Sequence, residues 1–156
     1  MMMLLFAVSA LAQAPAAKPG PEHKKLEIWV GDWTYEDGKS GFSAKPILGG
    51  FFVELRGEGN PGWHEIDGYD PVSKKFFWNN FDSSGGFQLV TYTIDGTTVS
   101  YTGTEVSGGK QYKIRGTIVL APDFMSFLEK REMSVDGKAW MPGFETKATK
   151  VKSSPK

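Results

Sequence analysis

The chain has 156 residues, a one-domain length, with eighteen basic residues against eighteen acidic ones and no cysteine. That balance leaves no electrostatic footprint for nucleic acid or an anionic membrane surface. The absence of cysteine excludes disulfides, thiolate metal sites and cysteine nucleophiles. Aromatic residues make up 13%, and nineteen glycines and nine prolines punctuate the chain at short intervals. Many aromatics among many turns favour an all-β protein.

In chain order, Met2 to Ala12 form an apolar run of signal-peptide length, too short for a membrane span of ~20 residues. Ala10-Leu11-Ala12 fits the small-x-small cleavage rule; a cut after Ala14 also fits but places Pro15 next to it. No Lys or Arg precedes the run. The expectation is a signal peptide over residues 1–12, or to 14, hence a periplasmic or secreted protein with no stable membrane insertion after cleavage. A flexible leader over 13–20, a domain over 21–152 and a frayed tail over 153–156 complete the division. Pro21 to Trp29 is the one helix candidate: Pro21 suits a first helical position, and Leu26, Trp29 and Val30 fall on one side.

From Trp33 onward, short apolar or alternating runs are separated by Gly, Pro, Asp and Ser. They predict strands near 33–37, 47–58, 63–69, 74–82, 86–94, 97–105, 110–120, 124–135, 138–141 and 144–151. With no room for crossover helices, the pairing is antiparallel. Four turns set the register. Asp95-Gly96 pairs Tyr92 with Val99; Gly108-Gly109 pairs Tyr101 with Gly116; Pro122-Asp123 pairs Gly116 with Glu129; Asp136-Gly137 sets Met133 against Trp140. All four agree on one inner face holding Val90, Tyr92, Ile94, Val99, Tyr101, Tyr112, Ile114, Ile118, Phe127, Met133 and Trp140. In the strand over 74–82 the pattern leaves two choices, with Phe77, Asn79 and Phe81 inward preferred over Phe76, Trp78 and Asn80.

Two charges, Glu129 and Arg131, fall on that inner face two residues apart. A buried charge is costly unless paired or hydrogen-bonded. They form either a structural network with Tyr101 or the polar anchors of a ligand cavity. Other motifs fall away. Gly57-Glu58-Gly59-Asn60-Pro61-Gly62 satisfies G-x-G-x-x-G as a string, but Pro61 and Trp63 lead into another strand where a dinucleotide fingerprint needs a helix. His64 shares a face with Ile66 and Gly68 while Glu65 and Asp67 take the other, so it reads as a surface histidine and no metal is expected. Glycosidase chemistry needs two carboxyls about 5 Å apart, and the inner face, read this way, offers one.

Gly31-Asp32-Trp33 stands behind the short helix at the start of the first strand. A Gly-x-Trp so placed resembles the signature of the lipocalin or calycin superfamily, where the Trp plugs the barrel base against a basic side chain from a late strand. Lys147 or Lys150 would be that partner. More specifically, the chain resembles a bacterial family of secreted lipocalin-like proteins known only as a domain of unknown function. The resemblance runs through Pro21-Glu22-His23-Lys24-Lys25-Leu26, Val30-Gly31-Asp32-Trp33, Gly49-Gly50-Phe51-Phe52, Gly68-Tyr69-Asp70-Pro71, Thr93-Ile94-Asp95-Gly96 and Lys147-Ala148-Thr149-Lys150-Val151. It implies an antiparallel up-and-down β-barrel of about ten strands with a short N-terminal helix, export, and no assigned activity. The family tends to be aromatic where Glu129 and Arg131 stand, so the charged pair is a departure that puts a purely apolar ligand in doubt. No histidine stands where the related haem-binding barrels would need one, and no cofactor is expected.

Three functions are compatible with this reading. The favoured one is binding of a small amphipathic molecule, with Tyr92, Tyr101, Phe127 and Trp140 as contact area, Glu129 and Arg131 as anchors, and Gly31 and Trp33 as the structural base. The second is a packed, ligand-free barrel serving as an envelope stress or interaction module, with Trp63 or Trp78 as an exposed contact patch. The third is an isomerase or hydrolase using Glu129 as general base.

Overall fold

The computed structural model describes residues 18–151. The expected signal segment, most of the leader and the tail lie outside the described residues. Ten strands follow in series: β1 Gly31–Tyr35, β2 Gly41–Ile47, β3 Phe52–Glu58, β4 Trp63–Asp70, β5 Lys75–Asp82, β6 Phe87–Asp95, β7 Thr98–Ser107, β8 Lys110–Leu120, β9 Ser126–Ser134 and β10 Met141–Lys150. Each pairs antiparallel with the next, and β1 pairs with β10, which closes an up-and-down barrel. Closure removes every sheet edge, so all-β architecture needs no covering helices.

The expected number of strands is met by a different division of the chain. β2 was not anticipated as a strand, because Pro46 and Gly41 interrupt a run of weak strand formers. Proline is tolerated there opposite Val53, near the end of the β2–β3 ladder. Of the expected strands 138–141 and 144–151, the first contributes only Met141, which joins the second in a single strand, β10, whose register shifts between Pro142 and Glu145.

The turns set parity better than register. Gly108-Gly109 pairs Tyr101 with Gly116 as expected. At the β6–β7 turn Gly96 takes the first corner, with φ +58°, so Tyr92 pairs with Tyr101 and not with Val99. Between β8 and β9 Phe124 adopts a left-handed conformation and Asp123 accepts from the Met125 amide at 3.0 Å. That moves the turn one residue onward, so Arg131, not Glu129, stands opposite Gly116. Both slips are by an even step, and the inner face survives them. Val90, Tyr92, Val99, Tyr101, Ile114, Ile118 and Phe127 are all buried.

The last turn fails. Asp136 accepts from the amides of Lys138 and Ala139, which winds the chain through a longer loop and sets Met133 opposite Met141. Trp140 therefore lies before β10 and packs outside the barrel, its ring 4.1 Å from the Arg115 guanidinium carbon. The preferred face of β5 is also reversed: Phe76 and Trp78 are buried and Phe81 is half exposed.

The helix candidate forms as α1, Pro21–Lys24, continued by a 3-10 turn over Lys25–Ile28. The Gly20 amide donates to His23 Nδ1 at 3.1 Å, and the His23 ring stands edge-on to Phe51 and Tyr69. Leu26 and Trp29 are buried at this end of the barrel. Trp33 donates from Nε1 to the Trp29 carbonyl at 2.7 Å and stacks on Phe42. Lys150 lies 4.8 Å from the Trp33 ring centre and donates to the Ile28 carbonyl at 3.2 Å. Of the two candidate basic partners, Lys150 fills the place. Gly31, at φ +129°, leaves room for the Lys150 stem, which would lie 3.3 Å from any Cβ there.

Candidate functional site

Inside the barrel is a cavity of about 290 Å³. Trp29 lines it from the helix-sealed end, and Pro61, Asp82, Gln88 and Phe144 border it toward the opposite end, where the β3–β4, β5–β6 and β9–β10 loops lie. Its walls are aromatic: Tyr35, Phe42, Trp63, Trp78 and Phe127. Trp63 and Trp78 thus face inward, and the expectation that they form an exterior patch is corrected. The inward turn of Trp63 is made possible by Gly57, its partner across the β3–β4 ladder, because a Cβ there would collide with the indole.

Two polar groupings project into this aromatic box. The first is built on β6, β7 and β9. Arg131, whose side chain is 8% exposed, donates to Glu105 at 2.8 Å, to the Tyr101 hydroxyl at 3.2 Å and to Gln88 at 3.3 Å. Tyr101 donates to Glu129 at 2.7 Å, and the Arg131 guanidinium lies 3.6 Å from the same carboxylate. Phe144 stacks over the guanidinium at 4.2 Å. Gly116 makes this possible, since any side chain on it would strike Tyr101. Arg131 is therefore held by its own protein partners through three of its five N–H groups, as in the structural-network reading of the pair. Glu129 lines the cavity; burial raises its carboxyl above the ordinary range, against the lowering influence of Arg131 and Tyr101.

The second grouping, on β4, is absent from the sequence-based site. Glu65 and Asp67 point inward together, and both line the cavity. The alternation that separates them from His64 was read correctly; the face toward the core was not assigned. The interior thus holds more than one carboxyl. Asn80 donates to Glu65 at 2.9 Å, and Tyr92 donates to Asp67 Oδ2 at 2.8 Å. Asp67 is 2% exposed, and its Oδ1 has no N–H or O–H donor. As alternate residues of β4 the two carboxyls share one face of the strand. Burial pushes both well up, Glu65 to about 7, and their mutual repulsion raises Asp67 further. Burial thus favours the protonated form on both members of the pair.

The residues singled out from sequence are distributed over three layers. Phe127, Glu129 and Arg131 line the cavity. Tyr92 and Tyr101 are buried behind it and orient Asp67 and Glu129 through their hydroxyls. Trp140 is outside, while Gly31 and Trp33 form the base with Lys150. His64 bonds Glu54 at 3.0 Å on the outer face. Among the described residues no three His, Cys, Asp or Glu side chains converge as metal ligands would.

Compared with models of known protein families and with curated proteins, the chain matches none.

Proposed function

We propose that this is an exported, lipocalin-like binding protein that holds a small amphipathic molecule inside its barrel. The observation that carries the reading is the cavity: about 290 Å³ of space in an interior that side chains would otherwise fill, walled by rings and supplied with a few fixed polar groups. Pockets for small ligands combine these features. The base formed by Gly31, Trp33 and Lys150 supports grouping the chain with the secreted lipocalin-like proteins it resembles. The apolar run over Met2 to Ala12 supports export to the periplasm or beyond.

The alternatives have less behind them. A ligand-free interaction module loses its contact patch, since Trp63 and Trp78 line the cavity. A hydrolase or isomerase retains one feature, a cavity-lining Glu129 whose raised carboxyl suits a general base. The deciding experiment is native mass spectrometry of protein purified from the envelope of an expressing bacterium, followed by solvent extraction. A discrete extra mass released on denaturation is expected. A clean apo mass, together with no thermal stabilisation by any amphipathic compound tested, would overturn the reading. N-terminal sequencing of the same material checks export, with a new terminus at Gln13 or Pro15 expected.

A further inference from the structure

The cavity lining carries four carboxylic acids, Glu65, Asp67, Asp82 and Glu129, against one guanidinium, Arg131. Arg131 is engaged within the wall, with three of its N–H groups on Glu105, Tyr101 and Gln88 and Phe144 over its face, and its charge is met by Glu105 and Glu129. Glu129 is served by Tyr101 and Arg131. Asp82 is occupied by the Ser84 and Gly86 amides of its own turn. The β4 pair differs from both in holding a fully buried carboxylate oxygen that has no partner. That oxygen is Asp67 Oδ1, in the cavity wall. Beside the pair, Trp78 and Trp63 line the same cavity, and aromatic faces attract cations as carboxylates do.

Resting on the reading that the cavity binds a small molecule, we propose that its ligand is a small organic cation, an ammonium seated on Glu65 and Asp67 with its apolar body against Trp63, Trp78 and Phe42. An ammonium supplies donors to the Asp67 oxygen that has none and displaces to solvent the proton that burial favours on the pair. An anionic ligand would add a like charge beside buried carboxylates, and the one base of the lining, Arg131, is already paired with Glu105 and Glu129. A neutral alcohol supplies a donor but no charge. Besides each other, the pair faces Tyr92 from β6, Glu129 and Arg131 from β9, and Tyr35 from β1, with Tyr101 behind Glu129 and Asp82 at the cavity border on β5.

The test uses three probes that share one ring and differ in the head: 2-phenylethylamine, 2-phenylethanol and phenylacetate. Binding is followed by tryptophan fluorescence and titration calorimetry. The amine is expected to bind about tenfold or more tighter than the alcohol, with phenylacetate weakest. Its affinity should rise between about pH 5 and pH 8, with proton release visible as a buffer-dependent heat. Asp67→Asn and Glu65→Gln should each weaken the amine by about tenfold while leaving the alcohol unchanged; since Asp67 also receives Tyr92, the Glu65 variant serves if the other is poorly folded. Alcohol or phenylacetate binding as tightly as the amine overturns the cation and leaves the binding barrel standing. So does a co-purifying ligand that is neutral or anionic. Amine affinity independent of pH and of both variants removes the β4 seat. If no probe binds at about 10 mM, a strength of only a few kcal/mol, and no mass co-purifies, the cation and the binding barrel fall together.

Discussion

Arg131 shows what a buried charge demands of its neighbours. The guanidinium fork is used on a carboxylate, a phenol and an amide at once, and Phe144 covers its face. Replacing it by Met would strand Glu105 and Glu129 without their cation. We expect Arg131→Met to cost about 3 kcal/mol at neutral pH in a urea titration, and less at pH 4, where the carboxyls take up protons instead. A loss below about 1 kcal/mol would mean the pair is worth no more than a surface ion pair. The β4 carboxyls have the opposite problem, too little compensation. A carboxyl whose value is raised by folding holds its proton more tightly folded than unfolded. Its contribution to stability is therefore full below the ordinary carboxylate range and is lost as pH rises toward about 7. Asp37 and Glu54 on the outer surface, held down to about 2 by hydrogen bonds from Ser40 and Arg56, act in the reverse sense and lose their contribution below about pH 4. Thermal melts should thus show a maximum near pH 5 and a decline of about 2 kcal/mol toward pH 8. Glu65→Gln should flatten the alkaline side; an unchanged decline would place its origin elsewhere.

At the scale of elements, the short N-terminal helix and the last strand together make one seal. Trp33 bridges them: its N–H holds the helix end through the Trp29 carbonyl, and its ring carries Lys150. Burial lowers the Lys150 ammonium, yet the Ile28 carbonyl and the indole face give it a place to stay. Lys150→Met keeps most of the stem and removes the charge. It should cost about 1–2 kcal/mol by chemical denaturation, from the lost cation–π contact and hydrogen bond. Trp33→Ala, which empties the base, should cost about 3–5 kcal/mol. Equal effects from the two would contradict a division between a packing core and a polar latch. Alternation made the interior of β6 to β8 readable element by element, whereas β10 was not, because its loop length and the Pro142–Glu145 irregularity change the parity of the strand.

For the whole molecule, the closing seam is the shortest ladder. It runs only from Trp33 to Tyr35 against Ala148 to Lys150, while β7 and β8 pair from Thr98 to Ser107 against Val119 to Lys110. Local opening follows the ladders with fewest protected backbone bonds. Hydrogen exchange should therefore find the amides of β1 and the end of β10 exchanging well before those of β7 and β8, and a ligand in the cavity should slow the whole ring together. Uniform protection in the free protein would point to a barrel that opens only by global unfolding.

The sequence by itself carried the class of fold, the short helix, the Gly-x-Trp base and the inner face of β6 to β9 across three of the four turns, because a period of two survives an even slip in register. It also marked Glu129 and Arg131 as charges in the wrong place for a surface. What it did not contain was any turn strong enough to orient β4 and β5, so Glu65 and Asp67 were left without an assigned face and Trp63 and Trp78 were placed on an exposed patch. Their direction is set by ladder partners on both sides: Gly57 making room for Trp63, Asn80 meeting Glu65, and Tyr92 reaching from β6 to Asp67. Gly57 and Asn80 stand on the strands beside β4 and Tyr92 two strands along, so these contacts form as β3 to β6 pair in order. Alternation alone tells which side chains share a face; closure decided which face is inside, and with it the chemistry of the cavity.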